Sequence, residues 1–157
     1  MKKVLVLLFA VAAFGFAANA QNNAIGVRVG GGQGYNAELS GQFGLGGGRL
    51  EVDLGWGHRD WGSDLSITGA YQWTGTIVGN FGWYAGVGAH VGFWSYDHPA
   101  GSDTDFALAL VGQGGVEYKF DAVPIQLSLD IRPRLYLIPD NADFHWGDIA
   151  FGIRYCF

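Results

Sequence analysis

The sequence is poor in cysteine, in positive charge and in long apolar runs, and each shortage excludes a class of protein. The 157 residues include one Cys and carry a formal net charge of -5. One Cys allows no internal disulfide and no cysteine-rich zinc module. The acidic balance argues against nucleic-acid binding, which requires clustered Lys and Arg. Because 49% of the residues are hydrophobic, intrinsic disorder is excluded, and the length predicts one domain.

The one long apolar run lies at the N-terminus and has the form of an export signal. Lys2 and Lys3 precede the apolar stretch 4–18, and Ala18-Asn19-Ala20 matches the small-residue pattern cut by signal peptidase. The stretch is short for a transmembrane helix, which needs about 20 apolar residues. We therefore expect a cleaved signal peptide at residues 1–20 and a mature domain at residues 21–157. Without a Cys at the cleavage site, a lipoprotein is not expected.

Glycine and aromatic residues are abundant instead, with 27 Gly, 6 Trp, 7 Tyr and 11 Phe. Glycine disfavours helices, and after the signal the apolar residues recur with a period of two. One face of each segment is apolar, and the other is polar or glycine. The pattern predicts eight strands: Ala24–Gly32, Tyr35–Gly44, Arg49–His58, Leu65–Thr74, Phe81–Tyr96, Asp105–Phe120, Ile125–Ile138 and Trp146–Phe157.

The composition of the polar face decides which way the strands are expected to point. Its many glycines suit the crowded interior of a narrow barrel better than a solvated strand. Lys119 is the only Lys after residue 20, whereas soluble β proteins carry Lys on exposed faces and edges. We therefore predict an all-β, eight-stranded, antiparallel up-and-down transmembrane β-barrel. Its first and last strands pair, because lipid cannot satisfy a free edge. A soluble lipocalin-like ligand binder, with the faces inverted, is the alternative.

The polar face also mixes charges of both signs. Eight strands enclose an interior just filled by side chains, so these charges are expected to pair inside the lumen. A narrow ion pore, in which the same charges set ion selectivity, is the alternative. The predicted lumen charge network comprises Arg28, Glu38, Glu51, Asp53, Glu117, Asp130, Arg132, Arg134, Asp148 and Arg154.

Aromatic residues collect at the two ends of the predicted strands. Two girdles that flank an aliphatic band are typical of a barrel in a bilayer. One set comprises Trp56, Trp61, Trp94, Tyr96, Phe144 and Trp146, and the other Phe43, Trp73, Phe81, Trp83, Tyr118, Phe120, Tyr155 and Phe157.

The last predicted strand ends in alternate apolar residues and a terminal Phe: Ile149, Phe151, Ile153, Tyr155 and Phe157. This pattern resembles the signal by which bacterial outer-membrane barrels are recognised for insertion. The segments 116–120, 124–130 and 132–133 further resemble small outer-membrane barrels of Bacteroidetes. The resemblance is sharp over roughly the last third of the chain and rests on pattern elsewhere. It implies outer-membrane location, contact with lipid and lipopolysaccharide, an encounter with the barrel assembly machinery, and no assigned activity.

Two kinds of chemistry remain open at the predicted outer loops. His58, His98 and His145 lie near six Asp, which suits a divalent metal but lacks ligand spacing within one segment. Lipid A modifying acyl-transfer or hydrolase enzymes use Ser, His and an acid, which Ser63-Asp64 and Asp97-His98 would supply together with neighbouring serines. No catalytic residue, metal or cofactor is assigned. We predict a monomer with a structural or surface-interaction role.

Overall fold

The computed structural model describes residues 23–30, 36–59, 62–98, 101–138 and 143–157. Over these residues the chain forms one closed antiparallel barrel in which each strand pairs with its neighbours in sequence and the first pairs with the last. The predicted signal peptide and its cleavage site lie outside the described residues. The strands are β1 (Ala24–Gly30), β2 (Asn36–Leu45), β3 (Gly48–Arg59), β4 (Gly62–Val78), β5 (Phe81–His98), β6 (Gly101–Lys119), β7 (Ile125–Ile138) and β8 (Asp143–Cys156).

All eight predicted strands are present, and the number and order match the expectation. The largest difference is in β4, which begins at Gly62 and ends at Val78 rather than running from Leu65 to Thr74. The segment 75–80 lies between two predicted strands, so the sequence predicts a connection there. It continues the ladder because β-branched residues fit an extended strand, and a bulge between Thr76 and Val78 absorbs the register shift.

Tight connections lie at one end of the barrel, which we call the turn end. Gly46 and Gly79, in the turns after β2 and β4, have φ of 60° and 54°, values that favour glycine. The segment 121–124 joins β6 to β7 at the same end. We call the opposite end, where β1, β3, β5 and β7 finish, the loop end.

The two faces of the wall have opposite chemistry. Side chains of Glu, Asp, Arg and Gln point inward and are buried, whereas Leu, Ile, Val and aromatic side chains point outward and are exposed. The buried apolar residues are mostly small: Ala24, Ala70, Tyr84, Ala107, Ala109, Val111 and Ala150. The inward polar face is therefore as the sequence predicted, and the soluble alternative with an apolar interior does not fit the described residues.

A continuous row of aliphatic side chains runs around the outer face. Cross-strand pairing places nine apolar side chains side by side around the circuit of strands. Each of them is exposed or half-buried. The row is Leu127, Ile153, Val27, Leu39, Leu54, Ile67, Val91, Leu108 and Ile138, so it begins and ends on β7.

A bulge interrupts the pairing of β7 with β8 near the loop end. Arg132 pairs with Asp148 and Arg134 with His145, so two residues of β8 lie opposite Pro133. Proline has no N–H to donate to the ladder, which makes a bulge a suitable place for it. Gly147 has φ of 86° at this point, a conformation that favours glycine.

Candidate functional site: the charged lumen

The lumen is filled by side chains that extend from opposite walls and bond to one another. Strand alternation places every second residue of each strand inside, so charges far apart in sequence converge on the barrel axis. Arg132 and Arg154 are the two largest side chains that are less than 2% exposed.

Arg132 of β7 lies at the centre of the network. Its Nη1 is 3.1 Å from Glu38 Oε2, and its Nη2 is 3.0 Å from Glu51 Oε1. The same Nη2 also donates to Asp53 Oδ2. One guanidinium on β7 thus neutralises carboxylates of β2 and β3, on the other side of the lumen. Buried charges are tolerated only when they are paired and hydrogen-bonded in this way.

Arg28 of β1 bonds to carboxylates of both β2 and β7. Its Nη1 is 2.8 Å from Glu38 Oε2 on β2, and its Nε is 3.1 Å from Asp130 Oδ1 on β7. The hydroxyl of Tyr84 donates to Asp130 Oδ2 at 2.9 Å. Asp130 therefore has an ionic and a neutral donor, which satisfies both oxygens.

Arg154 of β8 bonds to three other strands. Its Nε donates to Ser40 Oγ at 2.9 Å, its Nη1 to Ser128 Oγ at 2.7 Å, and its Nη2 to Glu51 Oε2 at 3.1 Å. Glu51 thus forms ion pairs with both Arg132 and Arg154. It is the carboxylate shared by the two arginines.

Arg49 belongs to the lumen cluster, although the sequence analysis did not include it. Its Nη1 is 2.7 Å from Glu117 Oε2, its Nε donates to Gln72 at 2.6 Å, and its guanidinium lies 4.8 Å from the Tyr84 ring centroid. Arg49 is the first residue of the third predicted strand. The signal was available, because Arg49 has the same parity as Glu51 on β3, which puts both on the inner face.

Glutamine amides extend the charged network toward the turn end. Gln42 and Gln113 donate to the two oxygens of Glu51 at 2.6 and 2.8 Å. Gln126 donates to Gln42 Oε1 at 3.1 Å and to Glu117 Oε2 at 2.9 Å. Sequence reasoning placed such residues on the polar face but assigned them no part in the network. They donate further hydrogen bonds to carboxylate oxygens that arginines already contact.

Two residues of the predicted network are not brought into it by the described contacts. Arg134 is half-buried, and no described carboxylate forms an ion pair with it. Asp148 pairs in register with Arg132, but its side chain lies outside the described part of the chain. The structure therefore assembles the charges of β1, β2, β3, β6, β7 and β8 and leaves Arg134 at the margin toward the loop end.

His90, a buried lumen histidine, lies closer to the loop end. Its Nδ1 is 2.8 Å from Thr68 Oγ1, and its ring is edge-on to Tyr136 at 6.4 Å between centroids. The ring of Tyr136 in turn contacts His145, which is 3.4 Å from Asp143. His90 and Thr68 are both buried. The described contacts of His90 are thus one hydrogen bond and one ring contact, both within the wall.

The candidates for rim chemistry are placed only in part. The side chains of His58, Ser63, Asp97 and His98 lie outside the described residues, so the metal and acyl-transfer readings stay predictions. Among the described side chains, no group of three His, Cys, Asp or Glu could hold a metal ion. No helix within the described ranges is long and apolar enough to cross a membrane.

The outer ends of the wall carry the predicted aromatic residues. At the loop end, Trp56 and Trp146 are 54% and 78% exposed, and Trp146 packs edge-on against Phe144 at 5.3 Å. At the turn end, Tyr118 and Phe120 pack together at 5.0 Å. Trp61 lies outside the described residues, as do the side chains of two further predicted members. The described aromatic residues leave the aliphatic row between them.

The residues of the predicted insertion signal all lie on the exposed outer face at the C-terminus. Their exposed fractions exceed two fifths. They are Ile149 at 68%, Phe151 at 47%, Ile153 at 43%, Tyr155 at 54% and Phe157 at 42%.

Comparison with solved structures finds the same fold in two bacterial β-barrels. The chain is similar to neisserial surface protein A (NspA), with a TM-score of 0.63 and 15% identity over 87% of this chain and 95% of that one. It is similar to the N-terminal β-barrel domain of Pseudomonas aeruginosa OprF, with a TM-score of 0.64 and 15% identity over 87% and 99%. At this identity the likeness shows the fold alone.

A designed protein has the same architecture. A chain from the de novo design of transmembrane β-barrels matches with a TM-score of 0.50 and 15% identity, over 89% of this chain and 98% of that one. No family model and no curated protein matches the sequence. The class of protein defined by fold and site is therefore a closed eight-stranded barrel of the outer-membrane type with a charged lumen.

Proposed function

We propose that this chain is an integral outer-membrane β-barrel whose lumen is plugged by its ion-pair network, and that it has a structural or surface-interaction role without catalysis. The observation that carries the proposal is the inverted burial of the wall. Inside, Arg132 and Glu51 are fully buried, whereas outside Leu129 and Ile149 are 51% and 68% exposed. Water would penalise such an apolar outer surface, and a hydrocarbon layer removes that penalty.

The filled lumen supports a plug rather than a narrow pore. Arg132 and Arg154 connect opposite walls, so ions would have to break several charge-assisted hydrogen bonds to pass. A soluble lipocalin-like ligand binder would need an apolar interior. The lipid A modifying alternative has no described catalytic pair at the rim and is kept as an outcome of the tests.

Cell fractionation combined with gel mobility tests the location and the closed barrel. We expect the full chain in the outer-membrane fraction, with a faster-migrating band that disappears on boiling. Its intact mass should equal that of a chain whose first residue is Gln21. The matched control is the chain that lacks residues 2–20, which we expect to stay in the cytoplasm. A full chain recovered in the soluble periplasm, without a heat-dependent shift, would refute the proposal.

Reconstitution in planar bilayers tests the plug. We expect no discrete conductance steps from the wild-type chain, because the lumen charges are paired across the barrel. Steady single-channel steps would favour the pore instead. A change in lipid A mass on overexpression would favour the enzyme. These two measurements separate the three roles once the outer-membrane location is established.

The exposed C-terminal pattern supports an encounter with the barrel assembly machinery, as the resemblance implied. Phe157 ends the outward row of β8. We expect Phe157→Gln to lower the yield of heat-modifiable barrel in cells while leaving refolding into detergent unchanged. A variant that fails equally in both settings would point to folding, and not to recognition.

A further inference from the structure

The seam between β1 and β8 has an unusual composition on its lumen face. Four register pairs face the lumen there; Ala24 pairs with Cys156, and each of the other three contains a glycine. Gly26 pairs with Arg154, Arg28 with Gly152, and Gly30 with Ala150. Arginine thus alternates with glycine across the junction that closes the barrel.

Arg154 of β8 passes over the glycine opposite it. Gly26 is its partner on β1, and Gly26 pairs in turn with Ser40 of β2. The Arg154 Nε donates to Ser40 Oγ at 2.9 Å, and its Nη2 reaches Glu51 on β3 at 3.1 Å. The Arg154 side chain thus reaches across β1 to the two strands beyond it.

Arg28 of β1 makes the reciprocal crossing. Gly152 is its partner on β8, and Gly152 pairs with Ser128 of β7. Arg28 Nε donates to Asp130 of β7 at 3.1 Å. Each terminal strand therefore sends an arginine over the other and bonds to the strand beyond it.

The two glycines leave room for different groups, Gly152 for the guanidinium of Arg154 and Gly26 for the backbone of β8. A Cβ on Gly152 would lie 2.6 Å from Arg154 Nη1 and would also collide with Ser128 Oγ. A Cβ on Gly26 would lie 2.5 Å from Arg154 Cα and 2.8 Å from the carbonyl carbon of Ile153. A side chain at position 152 would displace the guanidinium, and one at position 26 would separate the strands.

The seam has little backbone to hold it. The described β1 has seven residues, whereas β5 and β6 have 18 and 19. We propose that Arg28 and Arg154 form a latch, two side chains that hold the barrel closed at the seam by linking β7 to β1 and β2, and β8 to β2 and β3. The inference rests on the closed barrel and not on the membrane location.

Hydrogen–deuterium exchange of the mature chain in detergent micelles tests the latch. In Arg154→Met we expect the amides of β1 and of 150–156 to exchange at least tenfold faster than in wild type, with β4 and β5 unchanged. Arg49→Met is the matched control, because Arg49 is an equally buried ion-paired arginine that bonds away from the seam. Seam amides that exchange as in wild type, or uniform acceleration in all strands, would overturn the proposal.

A milder variant covers the case in which Arg154→Met does not fold. Ser40→Ala combined with Ser128→Ala removes two hydroxyl partners of Arg154 and leaves its ion pair with Glu51. We expect a smaller acceleration confined to the same seam amides. Acceleration elsewhere, or none, contradicts the latch.

A covalent seam provides the rescue. Val27 and Ile153 pair directly across the seam on the outer face. In a Cys156→Ser background, Val27→Cys with Ile153→Cys is expected to restore slow exchange to Arg154→Met when oxidised and not when reduced. If the disulfide forms and exchange remains fast, the arginine acts on the whole barrel, and the latch is wrong.

Discussion

The inner and outer faces of this wall are built from the same strands and follow opposite rules. On the inner face, Arg132 contacts three carboxylates and stability depends on partners. On the outer face, side chains such as Leu129 have no polar partner to lose, and stability depends on the absence of charge. The difference teaches that a period-two pattern specifies two surfaces whose sensitivities to mutation are inverse.

The largest effect is expected where an inner-face charge loses its partner. Arg132→Met leaves Asp53 buried without its ion pair and removes one arginine from Glu38 and Glu51, which should cost about 3–5 kcal/mol of unfolding free energy. Urea unfolding in detergent measures it. Lys119→Met is the control, since Lys119 is 44% exposed and 3.9 Å from Glu117. Adding Asp53→Asn should recover part of the loss. An unchanged midpoint in Arg132→Met would contradict the network.

A charge placed on the outer face sharpens the comparison from the other side. Leu129→Arg puts a charge in the middle of the aliphatic band and is expected to cost about 2–4 kcal/mol in lipid vesicles. Val123→Arg, in the turn after β6, is the control and should cost about 0–1 kcal/mol, because it lies at the level of the interface. Equal costs at the two positions would mean that no hydrocarbon band surrounds the barrel.

The bulge at Pro133 requires a positive φ at Gly147, which depends on neither face of the wall. Gly147→Ala forces a Cβ toward the carbonyl of Arg132 at φ of 86° and is expected to cost about 1–3 kcal/mol. Gly47→Ala is the matched control, because nothing lies within 4 Å of its added Cβ. The unfolding midpoints of the two variants in urea decide it. Equal midpoints would show that the bulge relaxes freely.

The smallest effect is expected at the margin of the inner face. The sequence places Arg132 and Arg134 in one lumen charge network. The structure separates them, because Arg134 is half-buried and has no ion pair with a described carboxylate. Arg134→Met should therefore cost about 0–1 kcal/mol in the same urea assay. A loss as large as that of Arg132→Met would place Arg134 inside the network.

Particular residues show how much of the candidate site the sequence predicts. Parity put Glu51, Asp53 and Arg154 on the polar face, because side chains alternate along a strand, and the composition of that face predicted that it lies inward. Parity did not pair them, since Arg154 finds Ser40 and Glu51 only after the barrel closes. The sequence also did not predict the ends of β4. A strand next to a longer neighbour can continue through residues that locally favour a turn.

Local alternation and turn residues specify the number and order of the strands, and the glycines and mixed charges of the polar face specify which face lies inward. Only the tertiary structure decided which charges meet and where the seam arginines cross, since these depend on register between strands distant in the chain. The pairing of Arg28 with Asp130 shows this, because the two residues lie 102 positions apart. Closure brings them together, and no local pattern specifies that distance.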